Sequence, residues 1–202
     1  GGVSPTRGVR RLAAMTTPNP DTERHPLLDE SPLPYGLPDF ATVRDEDLEP
    51  AIRTAIDDHA AEIAAITSNP DDPTVENTVI ALECSGQALH RVLSVFYGLL
   101  GPDATPARLD VDRVVSPLLA AHHSAMMTDP VLYARVGAVF SALEAGQLEV
   151  DDETDRLIRR HHRDLLRAGA ALDDDARARL TAIDTRLAEL TTRFGENLLA
   201  ST

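Results

Sequence analysis

From Leu48 to Leu198, apolar residues return every three or four positions rather than every two. That spacing lays them along one stripe of an α-helix, whereas a strand would alternate. Leu48, Ile52, Ile56, Ile63 and Ile66 mark a first helix, opened by Asp45, Glu46 and Asp47 and interrupted once near His59. Acidic residues suit that end, because the helix dipole is positive there. Asn69 to Pro73 stops it. A second helix is predicted from Thr74 to about Leu100, carrying Val79, Leu82, Leu89, Leu93 and Phe96 and ended by Gly101-Pro102. Thr105-Pro106 and Asp129-Pro130 each read as an N-cap followed by proline at the first helical position. The third helix contains Pro117, which lacks an amide hydrogen for the ladder and should kink it. The fourth closes near Gly146, and a fifth runs from Asp151-Asp152-Glu153 to Gly169. The last has the seam Leu180, Ile183, Leu187, Leu190, Phe194 and Leu198. The expected fold class is all-α, a multi-helix array over residues 39–202, and its carboxyl end reads as truncated inside a helix.

Residues 1–38 are expected to be an extended or disordered leader. Pro26, Pro32, Pro34 and Pro38 exclude a regular helix or a central strand there. The stretch from Leu27 to Phe40 is expected to run over the body, pinned by its leucines and Phe40. Met15 is a plausible start, and Arg10-Arg11 precedes too short an apolar run for a signal peptide. No stretch approaches the ~18 apolar residues of a membrane span, so a cytoplasmic protein without membrane partners is expected. Aromatics are 3% with no Trp, so any core must be aliphatic. The net charge is −14, with 33 acidic residues against 19 basic ones, all arginine. A nucleic-acid groove needs a positive surface to displace counterions, so no nucleic-acid partner is expected.

The seven histidines, the one cysteine and the glycines are the candidates for chemistry. A zinc peptidase helix needs H-E-x-x-H, which places two imidazoles on one face beside a carboxylate that activates water. The motif does not occur. His122-His123 and His161-His162 are adjacent pairs, whose members point about 100° apart on a helix. His161 falls on the apolar side between Leu157 and Leu165 and reads as a hydrogen-bonded core histidine. His59 and His90 read as surface residues. Cys84 reads as a core or near-core residue, and Cys84 and Ser85 have no nucleophile elbow and only His90 nearby in sequence. Gly86, Gly98 and Gly101 fit no phosphate loop, and Asp151 to Asp155 lacks EF-hand spacing. The arginines at 156, 159, 160, 163 and 167 read as a solvated face paired with acidic helices. No catalytic, cofactor-binding or metal-binding residue is therefore assigned in this chain.

Several ordered segments carry a family resemblance. They are Leu37-Pro38-Asp39-Phe40 with Leu48-Glu49-Pro50-Ala51-Ile52, then Pro73 to Thr78 with Ala81-Leu82-Glu83 and Ser85-Gly86, then Leu89, Arg91-Val92 and Asp129 to Val136. The closing set is Arg167-Ala168-Gly169-Ala170, Leu172, Ile183, Arg186 to Leu190 and Phe194 to Leu199. In this order they resemble the amino-terminal region of the thimet oligopeptidase, oligopeptidase A and bacterial peptidyl-dipeptidase family of zinc metallopeptidases, from about residue 26 onward. Val75 stands where the family commonly has Phe.

The resemblance implies a two-lobed helical enzyme around a deep channel that cuts short peptides, with zinc held downstream of the matched region. This chain would then be the non-catalytic amino-terminal portion, inactive alone. Its cofactor would be zinc in the parent only, and its partners short peptides and the carboxyl-terminal catalytic region. One alternative is a free-standing helical interaction module derived from that lobe. Another is a small metal-binding helical protein that uses the histidine pairs.

Overall fold

The structure, a computed structural model, describes residues 25–102, 104–173, 175–180, 182, 183, 186 and 190. Met15 and the Arg10-Arg11 pair lie outside the described residues, as do Leu187, Phe194 and Leu198 of the closing seam. Among the described residues the fold is all-α, with no strand. Two 3₁₀ turns, Pro26–Leu28 and Pro34–Gly36, precede α1 (Asp45–Thr67). A π-helical segment, Val75–Ile80, runs into the single turn α2 (Ala81–Glu83). Then follow α3 (Gln87–Leu100), α4 (Pro106–Met127), α5 (Pro130–Glu144) and α6 (Asp152–Ala168). Residues 175–180 are again helical.

The caps follow the sequence punctuation. The Thr105 and Asp129 side chains accept hydrogen bonds from first-turn amides, each followed by proline. The Asp151 carboxylate accepts from the Thr154 amide, which holds its pKa below the ordinary carboxylate value. Thr74 and Asn77 form a reciprocal capping box at the start of the π-helical segment. At the far end of α6, Gly169 takes φ +95°, with Leu172 and Leu180 crowding the place where a side chain would go.

The expectations for the second helix, Cys84 and Phe40 are corrected. The helix predicted over 74–100 is broken at Cys84-Ser85-Gly86, because Gly86 adopts φ +70° and restarts the chain as the N-cap of α3. That break leaves Cys84 exposed instead of near the core. Phe40 is 52% exposed and does not pin the stretch before α1, whereas Leu28 is 2% exposed and does. Arg91 fixes that anchor by donating from Nη2 to the Leu28 carbonyl at 2.9 Å. Pro117 is carried within α4, which runs continuously from Pro106 to Met127.

α1 packs against α3 and α4 near its start and also contacts α5, while α5 packs on α6. Its buried residues divide between two apolar clusters. Leu48, Ala51, Ile52 and Ala55 join Leu28, Leu89, Val92, Phe96 and Val115. Ile63 and Ile66 join Leu132, Val136, Leu165 and Ala170. A third cluster holds Val75, Val79, Val139 and Ile158. Arg135, on α5, is buried and ties the loop after α1 to this body. Its Nη1 donates to the Asn69 and Asp71 carbonyls at 2.9 and 3.2 Å, and its Nη2 to Asn77 Oδ1 at 3.2 Å.

Candidate functional site

Between the first two clusters the stripe of α1 is occupied by His59, four residues after Ala55 and four before Ile63. Helical spacing therefore turns its ring inward. On α4, His122 continues the stripe of Val111, Val115 and Leu119 in the same way. The two imidazoles meet edge to face with ring centroids 4.9 Å apart. His59 thus corrects its reading as a surface residue, while His90 is exposed as expected.

The hydrogen bonds around His59 have a direction. The Ser85 hydroxyl donates to the Leu82 carbonyl at 2.7 Å. Its oxygen then accepts from His59 Nε2–H at 3.1 Å. That tautomer leaves Nδ1 of His59 as an acceptor, and His122 Nε2–H donates to it at 2.9 Å. Glu62 accepts from the Gly86 amide at 2.6 Å. A Cβ on Gly86 would come within 3.0 Å of the His59 ring. The chain of donors links α4, α1 and the turn between α2 and α3.

Burial lowers the pKa of both rings. For His59 the neighbouring His122 adds to burial and Glu62 opposes it. For His122, His123 adds and Asp57 opposes. Ser85 and His59 lie at nucleophile–base distance, a pairing that sequence proximity to His90 alone had missed. The arrangement does not suit acyl transfer, however. The serine proton is committed to a carbonyl, and the amide beside it, which could steady an oxyanion, is committed to Glu62.

A cavity of about 460 Å³ opens beside this network. Its floor is apolar, from Leu82, Met126, Met127, Leu132 and Leu165, and its rim carries His59, Ser85, His123, Arg160, His161 and Asp164. His161 is partly buried and bonded, as expected. Its Nε2 lies 3.0 Å from Glu83, and burial lowers its pKa against the pull of that carboxylate. Arg160 reaches the same carboxylate at 2.6 Å. Arg159 pairs with Asp155 and Glu144, and Arg163 with Asp164, so Arg159, Arg160 and Arg163 are charge-paired as anticipated from sequence. His162 stacks on Phe140, ring centroids 4.0 Å apart, and on Tyr133 at 5.4 Å. The two adjacent histidine pairs are thus drawn to different partners. Among the described residues, no three His, Cys, Asp or Glu side chains converge as a metal site. The donor set here does not fit a catalytic zinc, and no step is assigned to one.

A second cavity, of about 500 Å³, lies between the π-helical segment and the loop before α6. It is lined by Val75, Ile80, Val139 and Leu148, with Glu76, Glu149 and Asp151 also at its wall. Among the described residues, no helix is long and apolar enough to cross a membrane.

No protein-family model matches the chain. Curated proteins do. The chain is 36% identical over 177 residues to the dipeptidyl carboxypeptidase of Salmonella typhimurium, and 36% over 180 residues to that of Escherichia coli. These alignments cover 88% and 89% of this chain but 26% of each relative. Oligopeptidase A of Haemophilus influenzae is 25% identical over 167 residues, 83% of this chain and 24% of the relative. The chain therefore spans about a quarter of the length of the curated relatives it matches.

Proposed function

We infer that this chain, homologous to part of the dipeptidyl carboxypeptidases and oligopeptidase A, is a non-catalytic helical portion of a zinc-dependent enzyme that hydrolyses short peptides. The observation that carries the reading is the identity of 36% along nearly the whole chain to peptidases about four times its matched length, in a sequence without H-E-x-x-H. In this reading residues 1–38 are a leader that reaches the body through Leu28, and residues 39–202 are the helical portion. Their work is shape: one wall of a substrate channel, with a cytoplasmic setting and zinc held elsewhere in the parent. The apolar side chains of Ile183 and Leu190, 55% and 45% exposed, support a further covering element.

The test is a chimera. The matched region of the Salmonella typhimurium dipeptidyl carboxypeptidase is replaced by residues 26–202, and dipeptide release from a short peptide is assayed with and without a chelator. A folded chimera with chelator-sensitive release is the expected result, and the isolated chain should release nothing. A folded chimera that binds zinc but cannot turn over peptide would refute the reading and favour a free-standing interaction module.

A further inference from the structure

The first cavity holds three imidazoles, but they are not equivalent. His59 is engaged through both nitrogens, by Ser85 and His122, and His161 is held by Glu83. His123 has neither kind of partner among the described residues, and it faces the cavity from the last turns of α4. Three and four residues further on, Met126 and Met127 line the same cavity. That spacing stacks an imidazole and two thioethers on one helix face, with neighbouring Cβ atoms roughly 5–6 Å apart. A cation bridging a ring nitrogen and a sulfur fits that separation. Packing against Ile63, Leu132 and Leu165 accounts for the methylene stems of the methionines. His123 stands in register with them, exposed to solvent at the cavity, so its ring nitrogens are open to an incoming ion.

The donor types choose the ion. Thioether and imidazole are soft to borderline ligands, and monovalent d¹⁰ ions accept two or three of them without the closed shell that zinc demands. Carboxylates that would favour a hard dication are taken: Asp164 pairs with Arg163, and Glu83 with Arg160 and His161. We propose that His123 and Met126, with Met127 as third ligand, bind a soft monovalent cation, Cu(I) or Ag(I). The site is independent of peptide hydrolysis and of any zinc in a parent enzyme.

The exposed thiol of Cys84 would compete for the same ions, so the test uses the full chain carrying Cys84→Ser. The protein is labelled at the methionine methyl carbons and titrated with Ag(I). Cu(I) is then offered in competition with bicinchoninate under anaerobic conditions. One equivalent of either ion should shift the Met126 and Met127 methyl resonances and leave Met15 in place. His123→Ala and Met126→Leu should each weaken binding by about ten-fold or more, with unchanged thermal unfolding. Absence of saturable binding, shifts confined to Met15, or affinity indifferent to His123→Ala in a folded protein would each overturn the proposal. Should a variant unfold, the methyl shifts of the Cys84→Ser protein decide alone.

Discussion

A histidine that donates through one nitrogen and accepts through the other has no free site for a second proton. His59 is in that position, and its protonation must break the bond from His122. Replacing His59 by Ala should strand the Ser85 oxygen and the His122 N–H and cost about 1–3 kcal/mol, measured by urea unfolding near neutral pH. The sign of the pH dependence follows from the lowered pKa values of His59, His122 and His161. Unfolded, each ring takes a proton near the ordinary value of 6.5; folded, each resists it to lower pH. Their contribution is thus present above that value and is lost as pH falls through it toward the folded pKa values. Unfolding free energy should decline from about pH 6.5 downward, and a His59→Ala/His122→Ala protein should show a shallower decline. A slope equal to that of the parent would sink this assignment. Sequence placed His59 and His122 at stripe positions of their helices, yet His59 read as a surface residue. An imidazole in such a place looks like a gap in the repeat, and only the fold shows that the two gaps face each other.

Among the elements, caps and stops could be read directly, because Thr-Pro, Asp-Pro and an acidic first turn act through neighbouring amides. The break at Gly86 could not. It rests on a left-handed backbone and on Glu62 and His59, which approach from twenty-four and more residues away in sequence. Gly86→Ala should therefore destabilise twice over, through φ and through contact with the His59 ring. A loss of about 1–2 kcal/mol is expected from the backbone alone, with a further loss that disappears in a His59→Ala background. Thermal melts of the four proteins in that cycle separate the two parts. Arg135 is a second long-range tie that patterning could not show, an arginine on a buried helix face. Arg135→Met should leave the Asn69 and Asp71 carbonyls unpartnered at a cost of about 2–3 kcal/mol, read as a lowered urea midpoint. Its Nε is itself buried without a partner, which moderates that loss.

At the scale of the molecule, α1 takes part in two of the three apolar clusters, so most of the body is tied through one helix. The all-α class was evident from spacing alone, because no other period runs through the chain. Which helices touch was not, since aliphatic stripes are interchangeable and only burial distinguishes their partners. Ile183 and Leu190, seven residues apart in sequence, are each in helical conformation and exposed. Sedimentation velocity on the isolated chain should show concentration-dependent association. Ile183→Glu with Leu190→Glu should abolish it while leaving thermal unfolding unchanged.

Without tryptophan, the chain's ultraviolet emission comes from three tyrosines in unlike settings. Tyr35 is 99% exposed, Tyr97 lies against Phe96, and Tyr133 is stacked on His162. Tyr35 already emits from water and should change little on unfolding. Release of the ring stack makes Tyr133 an intrinsic optical reporter of the α5–α6 contact, so separation of those helices can be timed without a dye.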